Sequence, residues 1–286
     1  MHRLLIIDKS YFHMTSLHVT FLNQLLEFVK NYHVVLPDVL GSECLMSENP
    51  CSSRHDKDPQ LLLKNLVNVI KAGAYVGYSS AELLQKEKDT LRPVDSVVDK
   101  ENTKKANNGV IKFDRSFIRV EAKRCKETFK PLFGLLREFG QTYFENIVKK
   151  NICAEFREAR QAPDIDRFKK WLQVSDEMKD ALTKYMCPDM ASSVGNDWYT
   201  WQMIRLWWAW IIDWASKRNY SGPSFADKDI SNDLYDIEYV AYLSRADGLL
   251  TGDKKLVKPL AKAAFPDKGV FSSLDEVPEE YACHWS

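Results

Sequence analysis

The sequence lacks a net charge, because its 40 Lys and Arg residues equal its 40 Asp and Glu residues. A neutral chain has no overall field that attracts it to nucleic acid or membrane, so polyanion binding requires a local patch. Long apolar runs are also missing: residues 206–212 fall far short of the roughly 20 that cross a bilayer. The apolar run at residues 4–7 is too short for a signal peptide. We therefore expect no membrane association and a cytoplasmic location.

Glycine-rich and cysteine-rich motifs are absent as well. The 11 glycines form neither a GxGxxG nor a Walker A pattern, which disfavours nucleotide-dependent chemistry. The six cysteines are scattered without a Cys-x-x-Cys pair, which argues against structural zinc and a disulfide framework. His13, His18 and His33 have no catalytic spacing with a Ser or Cys nucleophile. The sequence therefore disfavours several common enzyme mechanisms.

Short apolar segments alternate with helical patterns near both ends of the chain. Strands are predicted at residues 4–7, 33–36, 248–251 and 269–271. Helices are predicted from the first strand to about residue 30, and at residues 37–43, 232–244 and 254–264. Alternation of this kind predicts an α/β fold with a parallel sheet and right-handed crossovers.

The middle of the chain has a different pattern. Apolar residues at helical spacing, such as Leu62, Leu66 and Val69, predict helices, and the polar residues 87–109 predict an exposed loop. The sequence thus predicts a core formed by residues 1–56 and 219–286, split by an all-helical insertion at residues 57–218.

Four acidic residues stand where this fold gathers functional groups. Asp8 and Asp253 follow strands, whose carboxyl ends share one edge of a parallel sheet. Glu43 lies about two turns into the helix after the second strand, and Asp236 in the first turns of the helix before the third. Clustered carboxylates raise each other's pKa, and a hard divalent cation relieves the conflict. The alternatives are a turn residue at Asp8, a solvated residue at Glu43 and a helix cap at Asp253.

The order of these segments resembles the PIN-domain nuclease family. The first matching segment is the strand that ends in Asp8, with Ser10 two residues on. The second is residues 34–43, a strand and a Pro-led helix that carries Glu43. The third is residues 236–253, in which an Asp-led helix precedes an Ala-Asp-Gly turn, an apolar strand and Thr251-Gly252-Asp253. The resemblance covers roughly residues 1 to 50 and 229 to 278, and Glu43 and Asp236 lie much farther apart than in compact members.

The resemblance implies a PIN-like α/β/α core with Asp8, Glu43, Asp236 and Asp253 as catalytic metal ligands. Ser10 and Thr251 would be supporting groups. From its position alone, one turn before Asp236, Asp233 could line the same cavity, but as an early-helix acid it is better explained as complementing the helix dipole. The cofactor would be Mg²⁺ or Mn²⁺ and the activity that of an endonuclease on RNA rather than DNA, as in toxin nucleases and defence effectors. An inhibitory protein partner and a homo-oligomer stay open.

Two other functions remain alternatives. One is a non-catalytic PIN-like protein that binds nucleic acid or a protein partner through its helical insertion. The other is a carboxylate-metal phosphatase acting on a small phosphate ester. Asp8-Lys9-Ser10 lacks the second Asp of an aspartyl-phosphate motif, which disfavours the phosphatase.

The insertion holds two further features. Residues 112–130 carry seven basic and three acidic residues, and on a helix a phosphate-binding stripe would comprise Lys112, Arg115, Arg119, Lys123, Lys126 and Lys130. The alternative is a solvated face. Residues 198–214 hold six of the eight tryptophans and would suit base stacking. Because apolar residues surround that helix, we favour a core or subunit-interface helix.

Overall fold

The computed structural model describes residues 3–46, 59–109, 162–190, 192–217 and 227–283. Its centre is a six-stranded sheet in the order β4-β3-β2-β1-β5-β6. The strands are β1 Leu4–Ile7, β2 His33–Leu36, β3 Tyr75–Gly77, β4 Val98–Asp99, β5 Gly248–Leu250 and β6 Gly269–Phe271. All neighbours pair in parallel except β3 and β4, which are antiparallel. The protein therefore belongs to the α/β class, with a mixed sheet.

Helices cover the sheet. In chain order they are α1 Lys9–Phe12, α2 Met14–Leu17, α3 Val19–Asn31, α4 Asp38–Met46, α5 Pro59–Lys71, α6 Ser80–Thr90, α7 Lys100–Asn107, α8 Asp164–Trp171, α9 Asp176–Met186, α10 Tyr199–Lys217, α11 Asp227–Tyr242 and α12 Val257–Ala264. Short 3-10 turns occur at Pro188–Met190, Leu274–Glu276 and Glu279–Tyr281. No described helix is both long and apolar enough to span a membrane.

The central strands are apolar throughout because helices bury both faces of the sheet. Ile6 of β1 pairs with Val35 on one side and with Leu249 on the other, and all three side chains are fully buried. The four strands predicted from the sequence are confirmed. Their apolar runs are local signals, and this explains why they could be located without tertiary information.

The direction of the crossovers reverses at β1. Those from β1 through β2 to β3 lead one way along the sheet, and the crossover from β5 to β6 leads the other way. Right-handed crossovers place these two sets of helices on opposite faces. Helices α2, α3 and α5 contact one another, whereas α8 and α11 each contact both α10 and α12. A reversal of this kind opens a crevice beyond the carboxyl ends of β1 and β5, where α/β proteins bind ligands.

The middle of the chain departs from the prediction in three ways. The prediction of an all-helical insertion at residues 57–218 is wrong, because β3 and β4 lie inside that range. The prediction of a parallel sheet is wrong at one edge, because β4 runs antiparallel to β3. These strands of three and two residues are too short to produce a periodic signal. The prediction of an exposed loop at residues 87–109 is also wrong, since Glu87 and Asp99 are buried there. The proposed boundaries at residues 57 and 218 lie outside the described residues and stay predictions.

The tryptophan-rich helix α10 packs inside the protein. Trp198, just before it, and Trp201, Trp207, Trp208 and Trp210 within it are all buried, as favoured from the all-round apolar pattern. Buried Glu87 caps the start of α10, because its carboxylate accepts hydrogen bonds from the backbone amides of Tyr199 and Thr200, each at 2.8 Å. An acid at a helix N-terminus complements the helix dipole. These five tryptophan rings are therefore not exposed for base stacking.

Candidate functional site

Asp8 lies at the carboxyl end of β1 and connects the loop after β1 to the loop after β5. It is 1% exposed and caps α1, since its Oδ1 accepts the amide of Tyr11 at 3.0 Å and the hydroxyl of Ser10 at 2.7 Å. Its Oδ2 accepts a hydrogen bond from the hydroxyl of Thr251, beyond β5. The turn interpretation is thus correct for Asp8 Oδ1, while Oδ2 reaches the opposite loop.

Ser10 and Thr251, predicted as supporting groups, connect the two loops. Ser10 Oγ accepts the amide of Gly252 at 2.8 Å, and Thr251 Oγ1 accepts the amide of Asp253 at 3.0 Å. A Cβ on Gly252 would lie 3.2 Å from Ser10 Oγ, so the close approach favours glycine. Both hydroxyls donate to Asp8 and accept from the β5 loop, which holds Asp8 and Asp253 in a defined arrangement.

Glu43 projects from α4 and both of its oxygens are engaged. Its Oε1 lies 3.2 Å from Lys9 Nζ, and its Oε2 accepts a hydrogen bond from Tyr239 Oη at 2.7 Å. Glu43 is 5% exposed and Tyr239 is fully buried, so the solvated alternative for Glu43 is wrong. Sequence reasoning missed Tyr239, although it lies three residues after Asp236 and hence on the same face of α11.

Asp236 receives the combined field of the other acids. Burial and, in decreasing order, the charges of Glu43, Asp253, Asp8 and Asp233 together raise the pKa of Asp236 to about 9. The pKa of Asp8 rises to about 6, chiefly through burial and against the lowering effect of its hydrogen bonds, with a smaller contribution from Glu43. The structure therefore brings Asp8, Glu43, Asp236 and Asp253 within electrostatic reach of one another. These four residues form the acidic group.

Asp236 and Asp233 lie deeper in their helix than expected. Helix α11 begins at Asp227 rather than near residue 232, so neither acid lies in the first turn. The helix-dipole explanation of Asp233 is therefore wrong, because that effect is confined to the ends of a helix. Asp233 Oδ2 instead accepts a hydrogen bond from Trp210 Nε1 at 2.8 Å. Asp233 thus joins α10 to the edge of the acidic group.

Asp253 stabilises the turn that follows β5. Its Oδ1 accepts the amides of Lys255 and Leu256 at 2.7 Å each and that of Val257 at 3.3 Å. Helix α12 begins at Val257 with Leu256 as its N-cap, so the prediction of a helix from residue 254 with Asp253 as its N-cap is wrong. The same carboxylate still contributes to the raised pKa of Asp236. Its bonds within the turn and its membership of the acidic group are therefore compatible.

The carboxylate oxygens of the acidic group are chemically suited to a hard divalent cation. Carboxylate oxygens are what Mg²⁺ and Mn²⁺ prefer, and a cation would relieve the repulsion that raises the pKa of Asp236. Among the residues that the structure describes, however, no group of three or more His, Cys, Asp or Glu side chains is arranged to hold a metal ion. Asp8, Glu43 and Asp253 are each turned towards hydroxyl, ammonium or amide partners. Coordination would require some of these partners to be exchanged.

Glu238 is a further buried acid that sequence reasoning missed. Burial raises its pKa to about 8, and Ser80 Oγ donates to its Oε2 at 2.8 Å. Ser80 Oγ also lies 2.7 Å from Tyr199 Oη, so this network joins α6, α10 and α11. Because Glu238 lies two residues after Asp236 on α11, its side chain is on a different face of the helix and contacts α6. No local pattern distinguishes such an acid from a solvated one.

The six residues of the predicted basic stripe, Lys112 to Lys130, lie outside the described residues. Comparisons of the chain with protein-family models, curated proteins and solved structures found no match. A function is therefore inferred from the acidic group and its position relative to the sheet.

Proposed function

We propose that this protein is a PIN-like, divalent-metal-dependent endonuclease that hydrolyses phosphodiesters, preferentially in RNA. One observation carries the proposal: Asp236, a partly buried carboxyl among other acids, has its pKa raised to about 9 by burial and by the charges of those acids. These acids lie near the carboxyl ends of β1 and β5, where the crossovers reverse and where α/β proteins bind ligands. Strongly perturbed acids in such a place are typical of functional sites.

Each acid has a role in the proposed site. Asp8 and Asp253 would hold the principal ion, and Glu43 and Asp236 would complete its coordination, or hold a second ion, and orient the attacking water. Bound Mg²⁺ or Mn²⁺ supplies activation of water and stabilisation of the leaving oxygen. Ser10 and Thr251 fix the orientation of Asp8 through their hydroxyl groups. Such support from neighbouring groups commonly changes metal affinity or activity about 10- to 100-fold.

The preference for RNA, and a role as a toxin or defence effector, rest on the resemblance to PIN-domain nucleases. The basic residues between Lys112 and Lys130 would guide the phosphate backbone in this proposal. An inhibitory protein partner would belong to the same interpretation.

The test is cleavage of RNA and DNA oligonucleotides in Mn²⁺ and in EDTA by wild type and Asp236→Asn. Asparagine resembles the protonated aspartic acid in size and charge, so the variant should fold. We expect Mn²⁺-dependent cleavage of RNA by the wild type and a loss of at least about 100-fold in the variant. Asp267→Asn, in an exposed turn, is the matched control. Undiminished cleavage by Asp236→Asn, or by Asp8→Asn, would contradict the proposed mechanism.

A second candidate is a non-catalytic PIN-like protein that binds RNA or a protein partner. It is favoured by the engagement of Asp8, Glu43 and Asp253 with protein groups in the described structure. Binding of RNA without cleavage in Mn²⁺ would support it. Hydrolysis of a simple phosphate ester without cleavage of oligonucleotides would instead indicate a phosphatase.

A further inference from the structure

Lys9 places a positive charge inside the acidic group. Its Nζ lies 3.2 Å from Glu43 Oε1, and the two side chains are 26% and 6% exposed, respectively. Lys9 directly follows Asp8, so the backbone that presents one acid also brings the ammonium group to another. A buried carboxylate is costly without a partner of opposite charge. Lys9 therefore balances part of the negative charge of this group.

The two oxygens of Glu43 have different kinds of partner. Tyr239 donates a neutral hydrogen bond to Oε2, whereas Lys9 brings a full positive charge to Oε1. A divalent cation that used Glu43 as a ligand would occupy the neighbourhood of an ammonium group with the same sign of charge. At separations of a few ångströms this repulsion is substantial in a partly buried site. The Lys9 ion pair and metal coordination by Glu43 thus compete.

We propose that Lys9 is a built-in counter-ion that holds Glu43 in the metal-free protein and that a divalent cation must displace. The inference rests on the proposed function, because the cation is the one assigned there. Lys9 then lowers metal affinity and makes occupancy depend on the concentration of free metal. Tyr239, in contrast, orients Glu43 without competing for the site.

The test measures binding of Mn²⁺ alone to metal-stripped full-length protein, from the electron paramagnetic resonance signal of the free ion. Lys9→Met keeps an unbranched side chain of nearly the same length and removes the charge, and Lys9→Gln is a second neutral variant. We expect both to bind Mn²⁺ about tenfold more tightly than wild type, because repulsion of the ion is removed. Lys9→Arg keeps the charge and should remain near wild type. Tyr239→Phe should bind no more tightly than wild type, because it loses orientation and no positive charge.

A stability measurement separates this inference from the nuclease proposal. In EDTA, Lys9→Met should unfold at a lower urea concentration, and the added substitution Glu43→Gln should restore much of the loss. Tighter Mn²⁺ binding by Lys9→Met without cleavage of RNA would overturn the nuclease proposal and leave the role of Lys9 intact. Mn²⁺ binding by Lys9→Met and Lys9→Gln that is equal to or weaker than wild type would overturn the inference about Lys9.

Discussion

Replacement of Asp236 by Asn should change how the stability of the metal-free protein depends on pH. The pKa of Asp236 is about 9 in the folded protein, against 3.8 for an ordinary aspartate, because the group is partly buried and lies near other acids. Between these values the folded protein holds a proton that the unfolded chain has released. The contribution of Asp236 to the free energy of unfolding is therefore greatest in acid and falls as the pH rises towards its pKa in the folded protein. The neutral amide of Asn removes that dependence.

The magnitude follows from the linkage relation. One proton bound only by the folded state changes the free energy of unfolding by about 1.4 kcal/mol per pH unit. From pH 5 to pH 7 the free energy of unfolding of the wild type should thus fall by about 3 kcal/mol relative to that of Asp236→Asn. The pKa values of Asp8 and Glu238 are also raised, to about 6 and about 8, and they lower stability in the same direction. Because both acids remain in the variant, most of their effect cancels in the difference.

The assay is urea unfolding of wild type and Asp236→Asn in EDTA at several pH values between about 5 and 8. We expect the stability of the wild type to fall away from that of the variant as the pH rises. Asp267→Asn, whose carboxylate lies in an exposed turn, should follow the wild type. Parallel pH profiles for wild type and Asp236→Asn would show that Asp236 is not held protonated, and the electrostatic argument for the site would fail.

Two further predictions concern the same site. Binding of Mn²⁺ at about pH 7.5 should release up to about one proton, because a ligand must be deprotonated and Asp236 holds a proton in the metal-free protein. Calorimetric titrations in buffers of different ionisation enthalpy measure that number, and release as large in Asp236→Asn as in wild type would contradict the assignment. Thr251→Val should destabilise the protein by about 1–3 kcal/mol, since it removes the hydroxyl that donates to buried Asp8. Thr251→Ser, which keeps the hydroxyl, should lose less in the same urea titration, and equal losses would indicate that packing rather than the hydrogen bond matters.

Local sequence patterns account for the predicted part of the fold. Residues 4–7 and 33–36 are continuous apolar runs, and such runs indicate buried strands whatever lies around them. The all-round apolar pattern of α10 likewise predicted its burial. Strands β3 and β4 are so short that pairing with neighbours, not their own sequence, defines them. The burial of Glu87 also depends on distant chain, since it caps a helix that begins 112 positions later.

The sequence by itself determined which acids end the strands of the sheet and in what order they occur, because these are properties of short segments. It also determined that Ser10 and Thr251 stand beside two of those acids. Only the tertiary structure decided the partners of Glu43, since Lys9 lies 34 positions away from it and Tyr239 lies 196 positions away. The raised pKa of Asp236 has the same origin: charge interactions and burial depend on distances through space, which chain folding sets.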